Sequence, residues 1–177
     1  MHVSLGDSIT ARSLLERAVA IWEQETPIHP DIAFGLTNLA ELLREQGDYT
    51  AARLLYERAL AIREQMLGPS HHRTALSLNN LARLLKDQGN YAAARPLVDR
   101  ALTICEHTLG SEHPDTAQSL ANLAALFYAQ GEHVAARPLY ERALVIYTSR
   151  FGPDHPLTRT VHTAHTALDR PPQTHAP

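Results

Sequence analysis

Apolar residues return along this chain at intervals of three and four, and the pattern as a whole returns every 42 residues. Leu36, Leu39, Ala40 and Leu43 form one stripe. Leu78, Leu81, Ala82 and Leu85 repeat it, and Leu120, Leu123, Ala124 and Phe127 are the third copy. This is the period of a helix with one buried face. Each stripe stops at a Gln-Gly pair, at Gly47, Gly89 and Gly131, where glycine can take the left-handed conformation that ends a helix. A second stripe then begins: Ala52, Leu55, Tyr56, Ala59 and Ile62, repeated as Ala94, Leu97, Val98, Ala101 and Ile104, and again as Ala136, Leu139, Tyr140, Ala143 and Ile146. The pattern predicts a helical hairpin with a tight inner turn and a longer outer connection, such as the run from Met66 to His72. Alanines at fixed places in both stripes let the two backbones approach, while leucine and tyrosine fill the space between them. Pro96 and Pro138 fall early in the second helices, where each removes one hydrogen bond and invites a bend.

The repeat is close. His29, His71, His113 and His155 keep the 42-residue interval, and residues 29–70 and 113–154 are identical at 23 of 42 positions. The expected organisation is a single all-α domain over 1–169, with full repeats at 29–70, 71–112 and 113–154. Before them stands a half repeat over 8–28, in which "LERAVAI" from Leu15 matches "YERALAI" from Tyr56. After them comes a capping helix over 155–169, and then a polar, proline-rich tail over 170–177 that is expected to be disordered.

The pattern "NLAxLxxxQGxYxxARxLYERALxI", preceded by His-Pro-Asp, resembles the tetratricopeptide repeat (TPR) in its 42-residue form, as in kinesin light chains and the C-terminal arrays of bacterial signalling NTPases. The family's small, small, aromatic, small series is matched by Ala40, Ala52, Tyr56 and Ala59, and by Ala124, Ala136, Tyr140 and Ala143. In the middle repeat it reads Ala82, Ala94, Val98 and Ala101, with Val98 in the aromatic slot. The resemblance implies a right-handed superhelical α-solenoid of antiparallel hairpins, whose first helices line a concave face that binds a peptide or a partner protein. The tripeptide His113-Pro114-Asp115 is also the loop signature of J-domain co-chaperones. Here it recurs at His29 and is degraded at His71 and His155, so it reads as a helix start: proline suits the first turn, aspartate favours the positive end of the dipole, and histidine supplies a cap.

On the implied concave face most positions change from copy to copy: Phe34, Leu76, Gln118; Thr37, Asn79, Ala121; Glu41, Arg83, Ala125; Arg44, Lys86, Tyr128. One does not. Asn38, Asn80 and Asn122 precede the Leu-Ala of every full repeat. An asparagine amide offers both donor and acceptor, so a ladder of them can hold an extended peptide by its backbone. The matching asparagines do this in peptide-binding family members. Around the ladder, Arg83 and Lys86 are expected to favour an acidic residue on the ligand, and Tyr128 to offer an apolar or stacking surface. Gln118 and Asn122 lie where the family's two-cation clamp for chaperone tails would need cations. The expected site is therefore Asn38, Asn80, Asn122, Asn79, Arg83, Lys86, Tyr128 and Gln118.

Composition narrows the alternatives. The chain has 177 residues, 44% of them hydrophobic, with a formal charge of −3. No basic footprint points to nucleic acid or to an anionic membrane surface. No apolar run approaches the roughly 20 residues that span a bilayer, and no signal-peptide pattern opens the chain. The one cysteine, Cys105, rules out an intramolecular disulfide. A cytoplasmic protein is expected. The 11 histidines raise the question of a metal. Those one repeat apart ride on helices too widely separated to share an ion, and no further ligand completes a set around His71 and His72 or His162 and His165. Cys105 and His107, two apart on a helix, do not face each other. No phosphate loop, paired carboxylates or catalytic triad is recognisable. The expectation is a protein that is not an enzyme, with no cofactor and no metal, acting as a protein-interaction scaffold. An alternative places it as a self-assembling segment, or the sensor arm of a larger signalling NTPase. That reading joins through the open apolar face of the first half repeat, formed by Leu14, Leu15, Ala18 and Ile21.

Overall fold

The computed structural model describes residues 30–169, together with Ser13, Arg17 and Ile21, which are helical and exposed. The rest of the half repeat expected over 8–28, with Leu14, Leu15 and Ala18, lies outside the described residues, as does the tail over 170–177. Among the described residues all regular structure is helical: α1 (Pro30–Glu45), α2 (Tyr49–Leu67), α3 (His72–Asp87), α4 (Tyr91–Leu109), α5 (Pro114–Ala129), α6 (His133–Phe151) and α7 (Pro156–Ala167). They form two compact units that divide between Ile104 and Cys105, within α4. Helices α4 and α6 run unbroken through Pro96 and Pro138.

The inner turns are built from backbone hydrogen bonds. After α1 the N–H of Gly47 reaches the carbonyl of Arg44 at 3.1 Å, and that of Asp48 reaches Leu43 at 2.9 Å. This is the Schellman pattern, which uses carbonyls the helix end leaves without partners and needs a left-handed residue between them. Gly47 supplies it with a φ of 82°. The same two bonds recur at Gly89 and Asn90, and at Gly131 and Glu132. Asp48 then caps the next helix, its side chain accepting from the N–H of Ala51, so three residues reverse the chain.

The outer turns are held by side chains, and again identically. His71, His113 and His155 each accept through Nδ1 from the N–H two residues on, at 3.1, 3.1 and 3.3 Å. Each is the N-cap of its helix. Buried beneath, Thr74, Thr116 and Thr158 each donate from Oγ1 to the carbonyl of the glycine six residues back, at 2.9, 2.8 and 2.9 Å. These three glycines, Gly68, Gly110 and Gly152, close the preceding helices. The turn between repeats is thus tied to the first helix that follows it.

Packing within the hairpins follows the expected stripes. In the first unit Ile32, Ala33 and Leu36 of α1 form a core cluster with Ala59 and Ile62 of α2, with Leu55 against it. The small positions are closed: Ala52, Ala94 and Ala136 have no exposed surface. The larger side chains that fill the spaces, Tyr56, Val98 and Tyr140, are exposed by no more than 3%. Each such side chain contributes roughly 1.5 to 3 kcal/mol by leaving water. Burial also pushes the Tyr140 hydroxyl up to about 12, with a small addition from Tyr128.

Candidate interaction surface

In the first unit, α1 and α3 have the same length of 16 residues, so residues 42 apart take matching places on successive first helices. Glu41 of α1 and Arg83 of α3 are such a pair, and they touch: Arg83 Nη2 donates to Glu41 Oε2. The same oxygen accepts from the Tyr56 hydroxyl of α2. Arg44 donates to both Glu41 oxygens, through Nη2 at 2.8 Å and Nε at 3.3 Å. Its remaining terminal nitrogen donates to Asp87 Oδ2 at 2.6 Å, and Lys86 Nζ lies 3.2 Å from Asp87 Oδ1. The result is an alternating string, Arg83, Glu41, Arg44, Asp87, Lys86, that crosses from one repeat to the next.

Charge-assisted hydrogen bonds of this kind are shorter and stronger than neutral ones. Burial by itself would raise the Glu41 carboxyl pKa. Hydrogen bonds from Arg44 and Tyr56 and the positive charges of Arg83 and Arg44 outweigh that, and hold it below its ordinary value. Burial and the hydrogen bond to Glu41 drive the Tyr56 hydroxyl well above its ordinary range. The network therefore keeps Glu41 ionised and Tyr56 protonated at neutral pH.

Arg83 and Lys86, expected from the sequence to await an acidic ligand residue, are thus already engaged with carboxylates of their own chain. Asn79 is 1% exposed, so its side chain is enclosed in the fold rather than offered to a ligand. Asn38 and Asn80 are half-buried. In the second unit Asn122 and Gln118 are half-buried on α5. Tyr128, near the end of α5, is 40% exposed and stacks one ring face on His133 of α6, with centroids 5.0 Å apart and planes 18° from parallel. Among the described residues the amides of Asn38, Asn80 and Asn122 form no side-chain hydrogen bond. Phe34 on α1 is a large apolar side chain at 60% exposure.

Two contributors escape a reading of first-helix positions alone, the Tyr56 hydroxyl and the His133 ring, and a third, Asp87, ends the first helix α3 outside the expected site. The charge pairing did leave a signal in the sequence, because Glu41 and Arg83 stand at one register with opposite sign. Among the described residues no group of three or more His, Cys, Asp or Glu is placed to hold a metal ion. No described helix is long and apolar enough to cross a membrane.

Helical hairpins of constant length, joined by inner turns that repeat the same backbone bonds, define an all-α repeat solenoid. A family model for the tetratricopeptide repeat matches residues 1–65, 31–106, 73–149 and 121–168. The chain belongs to the tetratricopeptide repeat family, in its kinesin light chain-like form. It is similar to the solved structure of BtubC (BKLC) from P. vanneervenii, with a TM-score of 0.78 and 25% identity, covering 92% of this chain. The chain spans 65% of the length of BtubC. It is also similar to a putative kinesin light chain of Podosopora anserina with nearly identical TPR-like repeats: TM-score 0.70, 28% identity, 92% of this chain and 78% of that one. A singly substituted form of that protein gives a TM-score of 0.73 at 27% identity, over 92% and 77%. No curated protein sequence matches the chain. Proteins of this fold are in general non-catalytic scaffolds for protein–protein contacts.

Proposed function

We propose that this chain binds an extended peptide, or an extended segment of a partner protein, along the faces of its first helices, and that it does so without catalysis. The observation that carries this reading is the recurrence of Asn38, Asn80 and Asn122 at one register of α1, α3 and α5. Each is half-buried, with an amide that has no hydrogen-bond partner among the described residues. Half-burial holds a side chain in place while leaving its polar end within reach, and an amide in that position matches the alternating donors and acceptors of a peptide backbone. Backbone contacts supply affinity that tolerates many ligand sequences. Selectivity falls to the positions that change between repeats, among them Phe34, Gln118 and Tyr128.

The charged string modifies what such a face selects. With Glu41 and Asp87 satisfying Arg44, Arg83 and Lys86, an incoming carboxylate has to displace a partner already in place. The peptide is held first by its backbone and apolar side chains, with charge as a secondary determinant. The test is a peptide array probed with the wild-type chain and with the triple variant Asn38→Ala, Asn80→Ala, Asn122→Ala. Loss of binding across unrelated peptide sequences is the expected result. Binding that survives the triple substitution would sink the ladder.

A further inference from the structure

The outer turns depend on one form of one side chain. His71, His113 and His155 accept through Nδ1 from the N–H of Arg73, Asp115 and Leu157, at 3.1, 3.1 and 3.3 Å. A ring nitrogen that accepts a hydrogen bond carries no proton, so each capping ring is the neutral imidazole with its proton on Nε2. Uptake of a second proton puts an N–H on Nδ1, and ring and backbone then meet donor to donor. It also sets a positive charge at the positive end of the helix dipole. Imidazoles change charge between about pH 8 and pH 5, so all three caps lie within reach of mild acid. Asparagine and serine, common residues at this position, keep their acceptor throughout that range.

The charges around the three rings differ. The His71 ring lies on His72, with centroids 4.3 Å apart, and Arg73 follows. Burial, and then the charge of Arg73, lower the pKa of Arg63 on α2. Arg100 of α4 donates to the Pro69 carbonyl of this turn and pairs with Glu64 of α2 at 2.8 Å. Glu64 is the acid of this set, and Arg100 engages it. At His113 the place of Arg73 is taken by Asp115, whose Oδ2 lies 3.8 Å from the ring Nδ1. Burial first, and the Asp115 charge in smaller part, raise the Cys105 thiol of α4 and push the Tyr147 hydroxyl of α6 up to about 12, so both stay neutral. Glu106 of α4 and Arg142 of α6, the counterparts of Glu64 and Arg100, pair with each other at 2.8 Å. At His155 the ring stacks on Phe151 of α6, with centroids 4.5 Å apart. Pro156 and Leu157 follow it, and the charges next along the chain are Asp154 before it and Arg159 four residues on.

We propose that the histidine caps make the outer turns an acid-sensitive device, in which mild acid releases the turn at His71 first and the turn at His113 last. Protonation of His71 removes the cap of α3 and adds charge to a set that is already basic. Protonation of His155 removes the cap alone. A protonated His113 exchanges the backbone donor for the Asp115 carboxylate, which offsets the loss. The turn at His71 also holds the tie from Thr74 to the Gly68 carbonyl, so its release loosens the link that sets α3 against α2. The device resides in the turns and is independent of any ligand on the first helices.

Native-state hydrogen exchange of the full chain, followed by NMR, reads the caps directly at the amides of Arg73, Asp115 and Leu157. From about pH 7.5 to about pH 5.5, protection factors, which correct for the intrinsic pH dependence of exchange, are expected to fall at least about fivefold at Arg73, less at Leu157, and less than about twofold at Asp115. In Asp115→Asn the amide at that position is expected to lose as much protection as that of Arg73. His71→Asn, which keeps an acceptor and does not titrate, is expected to hold the Arg73 amide protected through the same range. Nitrogen-15 shifts of the three rings in the wild type are expected to show the Nε2–H tautomer at neutral pH. Protection at Arg73 that ignores pH overturns the proposal, as does a fall that persists in His71→Asn, because another group would then open the turn. Equal falls at Arg73 and Asp115 in the wild type overturn the order of release and the part given to Asp115. A His71 ring with its proton on Nδ1 at neutral pH overturns the cap itself.

Discussion

Arg83 donates to the carboxylate of Glu41, 42 residues earlier, so one register of the repeat pairs with itself across neighbouring first helices. The contact also meets Arg44 and Tyr56 at the same carboxylate. Replacing Glu41 by glutamine keeps the shape and removes the charge that both arginines face. The Glu41 side chain is 32% exposed, so water screens part of the loss, and Glu41→Gln is expected to cost about 1 kcal/mol at pH 7. Because the folded-state pKa of Glu41 lies below its ordinary value of 4.5, its contribution is complete above the unfolded-state value and fades as pH falls through the folded one. Urea denaturation of wild type and variant should therefore differ at pH 7 and converge in acid. A gap that stays constant down to acid pH would mean that the carboxylate charge contributes nothing.

The threonine ties of the outer turns are expected to matter more than their exposed counterparts. Thr116 is fully buried, and its hydroxyl serves the Gly110 carbonyl. Valine has the same shape and no donor, so Thr116→Val leaves that carbonyl short of a partner, at a cost of about 1 to 2 kcal/mol. For a chain of this size that lowers the melting temperature by roughly 2 to 8 °C. Thr103 is the control: its hydroxyl bonds to Asp99 on an exposed helix face, and Thr103→Val should leave the melt nearly unchanged. Equal effects at the two sites would remove the threonine tie from the account of the turn.

His113 acts as an acceptor rather than as part of a co-chaperone signature. Its Nδ1 takes the N–H of Asp115 at 3.1 Å, satisfying a donor that the start of α5 would otherwise leave open. His113→Ala is expected to destabilise by about 1 kcal/mol, and His113→Asn, which keeps an acceptor at the cap, by much less. Denaturant midpoints of the two variants check this. An asparagine variant as weak as alanine would show that the ring's packing, and not its nitrogen, holds the turn.

How much of this was legible in the sequence depends on the range of the interaction. Helix existence, the glycine stops and the buried alanines rest on contacts three or four residues apart, or on backbone geometry that one residue type supplies, and these show in a single strand of text. The Thr74, Thr116 and Thr158 ties were visible as a repeated residue, yet their partner is a backbone carbonyl, which carries no letter. The charged string is harder still. Arg83 reads as a groove cation on its own helix, and only the neighbouring first helix shows that Glu41 answers it and that Arg44 ties in Asp87, the residue beside Lys86. Asn79 shows the same limit: its register is shared with Thr37 and Ala121 and looks variable, while the structure encloses it.

Gly131 separates backbone strain from crowding. Its φ is 81°, and a Cβ built there would meet nothing within 4 Å, so a substitution meets no steric obstacle beyond its own backbone. The two hydrogen bonds that reverse the chain, from Gly131 to Tyr128 and from Glu132 to Phe127, require that left-handed residue. Gly131→Ala is therefore expected to cost about 1 kcal/mol from strain alone. Asparagine, which tolerates the left-handed region better than other non-glycine residues, should cost less. Thermal melts of the two variants give the order. If alanine proved neutral, the turn would have another low-energy conformation, and the Schellman bonds would not be what sets the short link between α5 and α6.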